Sequence, residues 1–365
     1  MLIHPSKTAL YETHVELAAK MSPFGGFLMP IQYSSILDEH EAVRTAVGMF
    51  DLSHMGQFVI RGDGVSAWLD SLSVNDVATM KPNQARYNIL TNARGGAHDD
   101  VIIYRLPARW LMVVNALNTD KIWTLLQGAL PGDVTMENRT SGHALIALQG
   151  PRSQALLQPL CEADLTSLRY YFATEGKVDG ISAEIARTGY TGEDGFELFV
   201  AASEAARLWR TLSGKGQALG LRPAGLGARD VLRLEAGMPL YGHELGESIT
   251  PLQAGLDWAV KLNKPHFTGK QALLRQREQG DYPRIAGFVM SGKAPARAGY
   301  VVYHKGQRVG EVRSGSPAPA LGGSNIGTAL VEPAASAPGE SLEIEIRGTR
   351  HAATVVPLPF YKRAR

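Results

Sequence analysis

The chain is 365 residues long, 44% hydrophobic and 20% charged, with a formal net charge of +2 and a single cysteine, Cys161. At about 100–200 residues per domain, this length makes two or three domains with a sizeable core. The well-mixed charge offers no long basic run for a nucleic-acid face, the lone cysteine permits no intrachain disulfide and fits a reducing compartment, and no apolar run approaches the ~18 residues of a membrane span.

The opening MLIHPSKTALYETHVELAAKM lacks an apolar segment of signal-peptide length, so a cytoplasmic protein is expected, with no membrane or nucleic-acid partner. Residues 8–21 predict an amphipathic helix with Leu10, Leu17, Ala18 and Met21 on one side. FGGFLMP at 24–30 predicts a turn-rich loop, and residues 36–48 a second helix. From Gln57 to Asn115 the pattern is of strands around one helix: strand GQFVIRG, helix VSAWLDSL, strand RYNILTN, then DDVIIYRL and RWLMVVNA as a hairpin about Pro107 and Ala108. A helix over 118–129 is followed by strand HALIALQG, helix PRSQALLQPLC with proline at its first position, strands ISAEIAR and FELFV, and a helix over 203–213. That order predicts an α+β sandwich, antiparallel rather than doubly wound. Further helices are expected over 225–237 and 269–280, and after Arg284 short strands and hairpin turns predict a small barrel-like all-β domain over 286–365, set apart from a region 1–285 of interleaved α+β lobes.

Three stretches could carry chemistry. In GGAHDDVIIY a Gly-Gly turn delivers Asp99 and Asp100 to the start of a strand, where alternation turns them to opposite faces. One could enter a cavity while the other stays wet; a solvated turn is the simpler account. A metal held by His98, Asp99 and Asp100 is not expected, because adjacent strand residues diverge. In GLGARDVLRLE, Arg229 falls in the first helical turn, where the helix dipole disfavours a cation. An anionic ligand nearby would explain it, and so would a surface salt bridge with Asp230 or Glu235. In RTGYTGEDGFE, three glycines lead into strand FELFV. If Phe196 and Leu198 pack in one core, Glu197 faces the other side. A flat ligand with amine donors would suit Tyr190 for stacking and Glu197 as acceptor; a plain strand acid is the alternative. Tyr87, Tyr170, Tyr171 and Tyr241 stand at strand or loop ends, while Met55, Asn115 and His54 are unremarkable in isolation.

Taken in order, DEHEAVRTAVGMFDLSHMG, NARGGAHDDVIIY, VVNA, ALQGP, RTGYTGEDGFEL and RPAGLGARDVLRLEAGMPLYGHEL resemble the aminomethyltransferase, or T-protein, family of the glycine cleavage system, over nearly the whole chain. The resemblance implies a three-domain cloverleaf around a central tetrahydrofolate site, with tetrahydrofolate as co-substrate and the lipoylated H-protein as partner. It implies transfer of a methylene carbon from the lipoyl arm to folate with release of ammonia. By the same resemblance Asp100 is the catalytic aspartate, Glu197 accepts from the pterin amine donors, Arg229 is the arginine of the folate site, and Met55, Tyr87, Asn115, Tyr170 and Tyr190 line it. The glycine loop would let backbone approach the pterin. Two departures stand out: His98 replaces an aliphatic residue, and SGSPAPALG at 314–322 lacks the family's aromatic. Arg363 and Arg365 are not registered against the family's last folate contact. A folate-binding paralogue, either another one-carbon demethylase or an iron–sulfur assembly factor, is the competing reading.

Overall fold

The structure, a computed structural model, describes residues 5–364, so Arg365 lies outside the described residues. The chain forms two compact units of discontinuous segments. One takes in the described residues up to Leu69, Val77–Tyr87 and Val101–Asp230; the other takes in Asp70–Asp76, Asn88–Asp100 and the described residues from Val231 onward.

In chain order the first elements are β1 (Ser6–Lys7), α1 (Tyr11–Glu16), β2 (Lys20–Phe24), β3 (Phe27–Gln32), α2 (Ile36–Thr45), β4 (Val47–Asp51), β5 (Gly56–Arg61) and α3 (Val65–Leu72). There follow β6 (Ala85–Thr91), β7 (Ala97–Arg105), β8 (Trp110–Val114), α4 (Thr119–Gly128), β9 (Thr135–Asn138), β10 (His143–Gln149) and α5 (Ser153–Leu157). Next come β11 (Ala173–Val178), β12 (Ile181–Ala186), β13 (Gly195–Ala201), α6 (Ala202–Gly216), β14 (Leu221–Pro223), α7 (Leu226–Glu235) and α8 (Lys270–Gln279).

A six-stranded sheet of order β11-β12-β13-β10-β4-β14 organises the first unit, and its strands are antiparallel except where β14 meets β4. Alternation puts Ile146, Leu148, Ile185, Phe196 and Leu198 on one face, where they share a core with Leu208, Trp209 and Leu212 of α6. Each such side chain contributes about 1.5–3 kcal/mol when fully buried. A polar clamp ties the N-terminal elements to this sheet. Buried His14 on α1 bridges Asp51 Oδ2 at 2.9 Å and the Tyr33 hydroxyl at 2.9 Å, and Thr8 donates to the same aspartate at 2.7 Å. Burial alone would raise the Asp51 carboxyl; the His14 hydrogen bond and charge outweigh it and hold the group below its usual range.

The first elements differ from their expectation. The helix expected over 8–21 is only α1, because Ala18, at φ 54°, turns the chain away and Lys20–Phe24 pairs antiparallel with β3. FGGFLMP is therefore a strand pair about Gly25 and Gly26 rather than a loop, and Leu17 is exposed. Helix α2 stops at Thr45, since the next residues form β4, buried throughout between β10 and β14. A strand covered on both faces shows no alternation to read. Pro151 lies outside α5, which spans only Ser153–Leu157. The expected hairpin is β7–β8, part of a second sheet of order β6-β7-β8-β5-β9.

The second unit ends in a closed barrel of order β15-β18-β17-β16-β19-β20, built from β15 (Arg284–Met290), β16 (Val301–His304), β17 (Gln307–Ala318), β18 (Ser324–Val331), β19 (Ser341–Ile346) and β20 (Thr349–Val356). Phe288, Val302, Val312, Ile344 and Val355 fill it, and closure leaves no unpaired strand edge. SGSPAPALG runs from the end of β17 into the following turn. The fold is thus mixed helix and sheet with a small C-terminal barrel, as expected. Among the described residues no helix is long and apolar enough to cross a membrane.

Candidate active site

Strand β13 sets the first group. Phe196 and Leu198 enter the core, so Glu197 emerges on the opposite face, as alternation predicts. Its partners across the sheet are Ala186 on β12 and Ala147 on β10, whose methyls leave the carboxylate uncovered. Thr188 Oγ1 donates to Glu197 Oε2 at 2.5 Å, and the Tyr104 hydroxyl reaches the same oxygen at 3.4 Å. Oε1 accepts no hydrogen bond among the described residues. Burial, then the Glu197 charge, push the Tyr104 phenol well above its usual pKa, so it acts as a neutral donor.

The loop that precedes β13 is braced at several points. Arg187 spans Asp194 with Nε and Nη2 at 3.0 and 2.5 Å, and its Nη1 donates to the carbonyls of Leu165 and Leu168. Arg44 reaches the Thr191 carbonyl at 2.6 Å and Glu193 at 2.9 Å. The Gln149 amide lies beneath, donating to the Thr188 carbonyl at 3.1 Å and accepting from the Thr191 hydroxyl at 3.0 Å. A Cβ on Gly189 would stand 2.0 Å from the Gln149 side chain, and one on Gly195 2.4 Å from it. Two of the three glycines therefore have an internal reason: they admit Gln149. These contacts hold Tyr190 in place.

Above Tyr190 stands Arg229, its guanidinium carbon 4.6 Å from the ring centroid, within range of a cation–π contact. The start of α7 that carries it is fixed by Glu39, whose carboxylate accepts from the Gly225 amide at 2.9 Å and from the Tyr33 and Ser34 amides. A carboxylate at a helix N-terminus is favoured by the helix dipole. The Arg229 guanidinium makes no hydrogen bond and no ion pair among the described residues, so the surface salt bridge with Asp230 or Glu235 is not its partner. Burial depresses its pKa, and the nearby Tyr190 and Glu197 pull it partly back. His54, which feels the Arg229 charge, is buried, with Nδ1 unpartnered among the described residues. Burial, opposed by the Asp51 charge and reinforced by that of Arg229, lowers the His54 pKa to about 4, so the ring is neutral near pH 7.

Of the sequence-predicted residues, Tyr190, Glu197 and Arg229 are brought together. Met55 is half-buried in the turn before β5, Tyr87 is half-buried on β6, Asn115 precedes the helical turn that leads into α4, and Tyr170, 43% exposed, stands edge-on to Tyr171. In the second unit Asp99 is wholly buried and Asp100 half-buried, the alternation expected on β7. His98 Nδ1 meets Glu247 at 2.9 Å. Among the described residues no three His, Cys, Asp or Glu side chains gather as a metal ion would require. Sequence reasoning missed Thr188, Tyr104, Gln149 and Glu39. The lone amide that ends the apolar run HALIALQG was the one available signal.

Comparison with known proteins agrees along the whole chain. Residues 10–264 match the family described as GCVT N-terminal domain, and residues 284–362 match the glycine cleavage T-protein C-terminal barrel domain. A protein of Geobacillus kaustophilus named aminomethyltransferase is 46% identical over 362 residues, covering 98% of this chain and 99% of its own. One of the same name from Moorella thermoacetica is 47% identical over 359 residues and 98% of each chain. The crystal structure of glycine cleavage system aminomethyltransferase T from Bartonella henselae superposes with a TM-score of 0.91 at 33% identity, covering 98% of both chains.

Proposed function

The chain belongs to the aminomethyltransferase family of glycine cleavage T-proteins, and on that premise we propose that it moves the methylene carbon of an aminomethyl group from a lipoyl arm to tetrahydrofolate. The lipoyl arm is carried by the H-protein of the same system. The carbon–nitrogen bond to the amine breaks and ammonia leaves. The carbon–sulfur bond to the lipoyl arm breaks, the thiol regains its proton, and two folate nitrogens take the carbon as methylene-tetrahydrofolate.

One observation carries this reading. Among the described residues, a carboxylate oxygen with no hydrogen-bond partner, a guanidinium with no ion pair and a tyrosine ring stand together in one unit. Folate needs the same three things. Its pterin edge donates N–H groups, its ring is flat, and its glutamate tail is anionic. Glu197 Oε1 accepts from the pterin, Tyr190 offers a stacking face, and Arg229 supplies positive charge without a competing partner. Met55, Tyr87, Asn115 and Tyr170 are assigned to the folate lining on the family resemblance. Asp100 is assigned the catalytic carboxylate: the carbon in transit carries positive charge, and a preorganised anion stabilises that charge more in the transition state than in the ground state.

The test is ammonia release from aminomethylated H-protein, with and without tetrahydrofolate. Release that depends on folate and yields methylene-tetrahydrofolate supports the proposal. Release indifferent to folate, or none with competent partners, sinks it.

A further inference from the structure

We propose that Thr188 is a positioning residue for Glu197: its hydroxyl pins one carboxylate oxygen, presents the other to an N–H-donating ring edge, and keeps the carboxylate from collapsing onto Arg229. The proposal rests on the folate reading above and deepens it.

Thr188 is 3% exposed and its hydroxyl stands 2.5 Å from Glu197 Oε2. The Tyr104 hydroxyl lies 3.4 Å from both that oxygen and Thr188 Oγ1, so two hydroxyls converge on Oε2 and none on Oε1. Oε2 is therefore engaged by Thr188 and, more weakly, by Tyr104, while Oε1 is open among the described residues. The rest of Thr188 is held independently, because its carbonyl accepts from Gln149. Its branched Cβ also leaves few rotamers, so the hydroxyl is a fixed donor rather than a swinging one.

The hydroxyl has a competitor to overcome. The Glu197 charge acts on Arg229, yet the two form no ion pair. Arg–carboxylate pairs are strong, and often bidentate, when geometry allows. A carboxylate freed from Thr188 would turn towards the guanidinium. Acceptor and cation would then satisfy each other, and both would be lost to the ligand. Thr188 thus serves recognition by holding apart two groups that attract.

The experiment measures dissociation constants for tetrahydrofolate and for its analogue lacking the ring 2-amino group, with kcat and KM for folate. A site that hydrogen-bonds a ligand N–H rejects an analogue without it, so the wild-type protein favours tetrahydrofolate strongly. In Thr188→Val, which keeps the shape and removes the hydroxyl, folate affinity falls about ten-fold or more and discrimination shrinks by a similar factor, while kcat at saturating folate changes little. Thr188→Ser restores both, and Thr188→Ala repeats the loss should the valine variant fold poorly. Tyr104→Phe, removing the longer contact, has a smaller effect in the same direction. Glu197→Ala separates the levels. If it abolishes discrimination while the threonine variants keep the wild-type ratio, the positioning role is overturned and the folate reading stands. If Glu197→Ala leaves affinity and ratio unchanged, the folate reading falls and this proposal with it.

Discussion

Arg229 and Arg233 stand four residues apart on α7 and meet opposite surroundings. Arg233 is buried and served on all sides: Glu244 at 2.9 Å, the Ser314 hydroxyl at 2.8 Å and the Met238 carbonyl. Its carboxylate partner is served in turn by the Thr328 hydroxyl and the Leu240 amide, and although burial would raise the Glu244 carboxyl, the Arg233 charge and these donors hold it below its usual range. Arg229 has a tyrosine ring and, among the described residues, no counter-charge in contact. A buried charge that is fully paired is architecture; a half-buried one left open points to a partner from outside the chain.

The widest separation should come from breaking the paired site. Glu244→Ala removes the carboxylate 2.9 Å from the buried Arg233 guanidinium and should destabilise by about 3–5 kcal/mol, read from urea unfolding. Arg229→Met removes a charge that has no partner to strand, and the same measurement should move little or rise slightly. Equal losses in the two variants would erase the distinction.

The two aspartates of β7 give a catalytic version of the contrast. Asp100→Asn keeps size and polarity but removes charge. Turnover should fall by about 2.7–4 kcal/mol of barrier, a hundred- to thousand-fold, with folate affinity largely kept. Asp99, buried outright, should report in the melting curve rather than in the rate. A folded Asp99→Asn that is crippled beside a near-normal Asp100→Asn would reverse the assignment.

Much of this was legible because it depends on local rules. Strand alternation alone puts Glu197 opposite Phe196 and Leu198, and Asp99 opposite Asp100. The C-terminal strands announced their hairpins. What stayed hidden was contributed from far along the chain. Gln149, some forty residues before the loop it supports, explains Gly189 and Gly195, so glycines that looked meant for a ligand first make room for a side chain. Glu39 fixes the start of α7 from 186 residues away. The apparent helix over 8–21 gave way because β2 gained a pairing partner in β3, which local spacing does not register. The open state of Arg229 was illegible for the same reason: a sequence offers Asp230 and Glu235 as neighbours, and only the fold shows that neither is its partner.

His54 tests whether the surroundings of Arg229 are as dry as their geometry implies. Its pKa in the folded chain is about 4, against 6.5 for the free side chain, so between those values the unfolded chain binds the extra proton. Stability attached to the neutral ring is fully present above about pH 6.5, is lost as pH falls towards 4, and levels off below that. At 1.36 kcal/mol per unit the loss amounts to about 3 kcal/mol. Unfolding free energy measured across this window should flatten in His54→Gln relative to the wild-type chain. An unchanged slope would mean the imidazole is solvated.

The finest measurement returns to Arg229 itself. Arg229→Ala should weaken tetrahydrofolate binding by about 1.5–3 kcal/mol, the worth of one hydrogen bond to a charged group. Arg229→Lys keeps the charge but gives up the planar group that stands over the Tyr190 ring and the fixed fork of donors, and should recover only part of the loss. The charge contribution should weaken with added salt, and the stacking contribution should not. Affinity that tracks charge alone would make Arg229 an electrostatic attractor for the anionic tail. Affinity that needs the planar group would tie it to orienting the ligand over Tyr190. A folded Arg229→Ala with unchanged folate affinity and kinetics would remove the reason for leaving this cation open, and with it the inference that an open, half-buried charge in this chain marks the site.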